Sequence, residues 1–218
     1  MKVKHTIKEI CFRLLLVITL FCILTVAMNE AGLRELRLMR EGELRNDFVD
    51  LPKDVQVIAD HLSQVAGGVA LDIEYAMLMT NNINAMAWSG QKVALTSGLL
   101  AYSIKNTGGN YFTIFSLAHE IGHVVYGDPG SSSGRSASEQ RNIERRADYY
   151  GMELMHKAGY DCKYAAEDWE ALLNMNPGSA LADPESEHPG NLERMTNAQV
   201  ICSSLKKTNK MPTDLYFE

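Results

Sequence analysis

Apolar positions along the chain change their spacing several times, and each change marks an element. Leu14–Met28 is an unbroken apolar or neutral run. From residue 29 to 50, Leu33, Leu36 and Leu44 stand among alternating charges, which predicts a solvated helical stalk with little to bury. From Lys53 to Ala66 the positions Val55, Val57, Ile58, Leu62 and Val65 suit an amphipathic helix ended by Gly67-Gly68. Val69–Met79 and Met86–Leu95 read as strands with Ser89-Gly90-Gln91 as a turn, so a small antiparallel sheet is expected here. Thr96 or Ser97 caps a helix through Leu99, Leu100 and Ile104, broken at Asn106–Asn110. The next helix, from about Tyr111 to Tyr126, carries Ile114, Phe115, Leu117, Ile121, Val124 and Val125 on nearly every face, so it belongs at the centre of a domain. After Gly127-Asp128-Pro129, Gly130–Ser136 has no helix or strand signal and reads as a linker or a flap. A second long helix is expected from about Ser138 to Lys157.

An apolar helix at the centre of a domain is a poor place for histidine, yet it holds His119-Glu120-Ile121-Gly122-His123. His119 and His123 project from one face, one turn apart. Glu120 points about 100° around the axis, so its carboxylate misses a metal on the imidazoles and meets a water beside it, the position of a general base. Glu144 and Asp148 share one face of the second helix, and Glu144 follows His123 by 21 residues. That length lets the chain turn and return antiparallel, which brings Glu144 to the histidines as a third ligand. Two His and one Glu leave the fourth position of a single Zn2+ open for water. Asp148 then holds a ligand imidazole, His119, by its other ring nitrogen. Ala147 and Gly151 permit a close helix contact. The competing reading makes Glu144 and Asp148 part of a solvated face with Arg141, Arg145 and Arg146. His5, His61 and His156 lack paired spacing and read as ordinary histidines.

Composition adds location. The chain has 218 residues, 46% of them hydrophobic, enough for one sizeable core with appendages. Lys2, Lys4, Lys8 and Arg13 gather before the apolar run, so the rest of the chain is more acidic than the overall charge of −6. Such a surface argues against nucleic acid as a partner. The run spans roughly 22 Å as a helix and roughly 28 Å counted from Ile10, which straddles a signal peptide and an anchor. The basic N-terminus favours an uncleaved anchor that exports the remainder of the chain, although Arg34, Arg37, Arg40 and Arg45 offset it; the alternative is secretion after cleavage near Thr25-Val26-Ala27. Cys162 and Cys202 form a disulfide outside the cytoplasm or remain buried thiols.

With Glu144-Arg145-Arg146-Ala147-Asp148 after it, the histidine motif resembles the gluzincin signature. Asn84-Ala85 before a hairpin, Thr96-Ser97-Gly98-Leu99-Leu100, Gly159-Tyr160-Asp161, and His188-Pro189 with Arg194 resemble the HtpX, Oma and CAAX-prenyl-protease family over roughly residues 52–205. The resemblance implies a zinc-dependent endopeptidase, usually membrane-attached and often in protein quality control. The several membrane spans of the HtpX and prenyl-protease branches are missing, which moves the chain toward exported members such as the BepA type, without that type's helical repeats. By the same resemblance, substrate adds as a strand along Asn84, Ala85 and Met86.

The resulting expectation is an α+β, mostly helical gluzincin-type domain at residues 52–206 with a small antiparallel sheet and a two-helix metal site. A membrane anchor or signal segment (1–28) and a helical stalk (29–51) precede it, and a tail (207–218) ends the chain. His119, His123 and Glu144 hold zinc, Glu120 is the base, and Asp148 and Arg194 support the site. His188 either stabilises the developing oxyanion, plugs the fourth metal position, or is a surface histidine. Substrates are unfolded or membrane-proximal polypeptides, since a short tether samples nearby chains. The competing functions are a zinc-stabilised, chaperone-like binding module and a zymogen blocked by its stalk.

Overall fold

The computed structural model describes residues 48–67, 71–88, 91–107, 109–128 and 135–212. The segment 1–28, most of the stalk and the Gly/Ser loop centre lie outside the described residues. Two compact units divide the chain at residue 45, and the described residues all belong to the second, Asn46–Glu218. Its elements are β1 (Phe48–Val49), α1 (Lys53–Gly67), β2 (Glu74–Leu78), β3 (Ala85–Trp88), β4 (Lys92–Thr96), α2 (Ser97–Thr107), α3 (Tyr111–Tyr126), α4 (Ala137–Lys157), α5 (Lys163–Met175), a 3-10 turn at Pro177–Ser179, and α6 (Asn191–Thr208). Phe48 and Val49 pair with Leu78 and Met77, so the expected stalk helix has given way to a strand by this point, with Phe48 edge-on to Trp88. Among the described residues no helix is long and apolar enough to cross a membrane.

The sheet is mixed, not antiparallel. Its order is β1-β2-β4-β3, with β2 parallel to β4 and β3 antiparallel to β4. The reason lies in composition: Val93, Ala94 and Leu95 of β4 are almost wholly buried, whereas every residue of β3 is half exposed. The more apolar arm of the hairpin therefore takes the interior place beside β2, and β3 is left at the edge.

Helix α3 is the hub of the core, with Phe115, Leu117 and Ile121 buried against Val55 and Leu62 of α1, β4, and Met152 and Met155 of α4. It ends where Gly127 takes φ 65°, and the Gly127 and Asp128 amides return to Val124 and His123 carbonyls. Helix α4 starts on a capping box, in which Ser136 and Glu139 satisfy each other's backbone amides. Helices α5 and α6 have no counterpart in the elements expected from sequence. Cys162 and Cys202 join them by a disulfide with Cα atoms 5.4 Å apart. Stabilisation by closing such a loop is of order 3–4 kcal/mol.

Asp168 on α5 is fully buried, and neither of its carboxylate oxygens has a hydrogen-bond partner among the described residues. Burial, with Glu167 adding to it, pushes its pKa up to about 8 from an ordinary value of 3.8. The unfolded chain loses this proton near the ordinary value and the folded chain holds it, so stability falls as pH rises through that window and levels off above about 8. Asp168→Asn is therefore expected to melt higher than wild type by a margin that grows between pH 4 and 8, at about 1.4 kcal/mol per pH unit at most. Calorimetry across that range checks this, and a margin independent of pH would refute it.

Candidate metal centre and its supporting arms

Two helices build the site by running antiparallel at unusually short range. A Cβ on Gly151 of α4 would lie 3.0 Å from the backbone nitrogen of His119, and one on Gly122 of α3 would lie 3.3 Å from Ala147 Cα. Small residues at this crossing let His119 meet Asp148, and His123 meet Glu144. His119 Nε2 and His123 Nε2 stand 3.1 Å apart, with Glu144 carboxylate oxygens 3.4 and 3.5 Å from them. The three donor atoms lie within 4.8 Å of one another. Glu120 Oε1 is 4.0 Å from His119 Nε2, close to the cluster but set off from the ligand face.

Each imidazole is held from behind. His119 Nδ1 bonds Asp148 at 2.8 Å, and Arg194 grips the same carboxylate through two nitrogens at 2.7 and 2.5 Å. The Arg194 guanidinium lies over the Trp169 ring, 3.8 Å from its centroid. On the other side His123 Nδ1 bonds Asp128 at 3.2 Å, Asp128 is held by Arg146, and Arg146 stacks 4.3 Å over Tyr126. Both arms run imidazole, carboxylate, guanidinium, aromatic ring. With protons fixed on Nδ1, both Nε2 lone pairs face one another beside a carboxylate, an arrangement that repels itself unless a cation sits between them. The donor chemistry fits a divalent metal with one open position.

Burial works against a charged His119, but the hydrogen bonds it donates to the Asp148 and Glu144 carboxylates prevail and raise it to about 10, so with no cation between the imidazoles a proton takes that place on Nε2. Burial would raise Glu144 and Asp148 as well; the His119 and His188 bonds to Glu144, and Arg194 beside Asp148, hold both acids well below the usual range. Burial pushes Glu120 up, as a proton acceptor near neutrality requires.

The other candidates gather at one cleft of about 490 Å³. Asn84, Ala85 and Met86 line one wall and Glu120, His119 and Glu144 the floor, with His188 at the opposite rim. His188 Nδ1 is 3.0 Å from Glu144 Oε2, and its side chain is 64% exposed, leaving room to turn toward a bound ligand. Its loop is fastened to α4 by Arg141, which donates to the Pro184 and Ser186 carbonyls, and the start of α6 just beyond it is held by the Arg145–Glu193 pair. The Arg141 and Arg145 side chains, which the competing reading of the sequence put on a solvated face, thus position the rim. Arg194 engages Asp148, not His188.

Asp128 and Arg146 are functional residues that sequence patterns do not single out, since Gly127-Asp128-Pro129 reads only as a turn. The usable signal is the helix-ending glycine itself: the left-handed turn at Gly127 folds Asp128 back beside His123.

Residues 51–138 match the family model described as Peptidase family M48. The match spans less than half of the chain and points to a metallopeptidase of that kind. It takes in the edge strand and both imidazoles and stops short of Glu144, Asp148, His188 and Arg194, whose assignment rests on geometry. No curated protein matches the chain.

Losing a carboxylate behind a ligand imidazole typically weakens metal binding about 10- to 100-fold. Asp128→Ala and Asp148→Ala are both expected to do so in a metal titration. Only Asp148→Ala should also lower the melting temperature sharply, because it strands a buried Arg194, whereas the Arg146 side chain is 37% exposed and keeps water. Unchanged metal affinity in Asp128→Ala would remove the second arm from the site.

Proposed function

We propose that the protein is a zinc-dependent metalloendopeptidase of the M48 kind that cleaves extended polypeptide segments laid along β3. The observation that carries the reading is the pair of buried imidazoles converging on Glu144 with Glu120 beside them at the floor of an open cleft. His119, His123 and Glu144 would hold one Zn2+, and the N/O donor set suits that ion. When bound, zinc supplies the Lewis acidity that activates water and polarises the scissile carbonyl.

The chain's own residues do the rest. Glu120 accepts the proton of the attacking water and returns it to the departing amine nitrogen, for which its burial-raised affinity is suited. Asp148 and Asp128 keep both imidazoles in the tautomer that presents Nε2. His188 turns from Glu144 and donates to the carbonyl oxygen as negative charge develops there.

We also propose that the domain works outside the cytoplasm, tethered through residues 1–28, on unfolded or membrane-proximal polypeptides, in protein processing or quality control. The Cys162–Cys202 disulfide supports the compartment, because such bonds persist where thiols are oxidised.

Glu120→Gln is expected to cut casein or a mixed peptide library roughly 10³-fold more slowly while retaining one zinc per chain. Equal cutting by variant and wild type would leave a zinc-stabilised binding module as the better account. His188→Ala is expected to lower kcat about 10- to 100-fold with little change in zinc content; a rise in activity would identify His188 as a plug.

A further inference from the structure

The segment Thr96-Ser97-Gly98 lies outside the metal centre, yet it concentrates more side-chain hydrogen bonds to backbone than the site's own walls do. The Thr96 hydroxyl accepts from the amides of Asn84 at 3.0 Å and Leu99 at 3.2 Å. Its own proton goes to the Asn82 carbonyl at 2.6 Å, with the Asn84 carbonyl 2.9 Å away. Ser97 Oγ donates to the Thr80 carbonyl at 2.8 Å and stands 3.0 Å from the Thr80 amide. The Gly98 amide reaches the same carbonyl at 2.8 Å, and a Cβ on Gly98 would lie 2.4 Å from the carbonyl oxygens of Asn81 and Asn82. Three consecutive residues thus hold Thr80, Asn82 and Asn84 of the strap that leads into β3.

This clamp also sets which peptide groups of β3 are available. The Thr96 amide donates to Asn84 O at 3.0 Å, so the polar backbone groups of Asn84 face β4. Alternation then turns Met86 toward β4 as well and leaves the N–H and C=O of Ala85 and Ala87 pointing out of the open edge. Those two residues line the cleft beside the metal ligands. A strand slipped by one residue would present Met86 instead and shift any bound chain relative to Glu120.

We propose that Thr96, backed by Ser97 and Gly98, is the positioning residue that fixes the register of the edge along which substrate is already proposed to lie, and so decides that Ala85 and Ala87 present the outward peptide groups. The inference rests on the endopeptidase reading of the cleft. Substrates that span β3 gain from the clamp, and substrates too short to reach it do not.

The test compares the zinc-loaded full chain with Thr96→Val, Thr96→Ser and Ser97→Ala on a peptide series from a blocked dipeptide to a decapeptide. Thr96→Val is expected to raise KM for the long peptides about tenfold, with kcat and the dipeptide constants within about twofold of wild type. Thr96→Ser, which keeps the hydroxyl, should restore the wild-type values. Amide exchange at 82–88 should accelerate in Thr96→Val alone while the zinc affinity stays put. If Thr96→Val does not fold, Ser97→Ala carries the same comparison with a smaller KM rise. Peptides cut by all variants with unchanged KM would overturn the proposal, as would equal losses on long and short peptides. A wild-type chain that cuts none of them would instead refute the endopeptidase reading.

Discussion

The site depends first on how closely α3 and α4 approach. Ligand side chains of ordinary length reach a common point only if their backbones are near, and Gly122, Ala147 and Gly151 remove the bulk that would hold them apart. The Gly151 contact is made against the backbone of His119 itself, so packing and coordination geometry are set by the same atoms. A methyl group there acts on the core and on the metal centre at once, which is why this crossing tolerates so little.

Close approach creates an electrostatic problem that the rest of the domain solves. Four carboxylates, from Glu120, Asp128, Glu144 and Asp148, crowd around two imidazoles with little water. Arg194 and Arg146 neutralise the two that orient the histidines, and Trp169 and Tyr126 receive the flat guanidinium faces. Helix α6 supplies Arg194, and the Cys162–Cys202 bond ties α6 to α5, which carries Trp169. Elements far along the chain from the histidine motif are thus part of its support.

Legibility in the sequence follows the range of the interactions. Helix α3 is readable to its ends, because its apolar positions and bounding glycines are local signals. Glu144 and Asp148 are readable as a pair because helical spacing puts them on one face. The strand order is not, since parallel pairing of β2 with β4 depends on which arm of a hairpin is the more apolar, a comparison made only when both compete for one place. Asp128 is hidden for a related reason: a Gly-Asp-Pro turn looks the same whether or not its carboxylate meets a histidine. Helix α6 carries almost no amphipathic signal, whereas α5 has one as clear as that of α4, and the two take their places through the disulfide, Trp169 and Arg194.

The open edge of β3 has one more consequence. Any protein that recognises chains through bare peptide groups offers those groups equally to copies of itself, and edge strands of this kind are where sheets of neighbouring molecules join. Here the exposed ladder is only four residues long, with two outward-facing rungs, and it is sunk into a cleft between the sheet and the His188 rim. A recess of this kind disfavours the broad edge of an intact sheet more than a single extended strand. On the proposed endopeptidase reading, resistance to edge-to-edge association and selection of unstructured chains would have one steric origin.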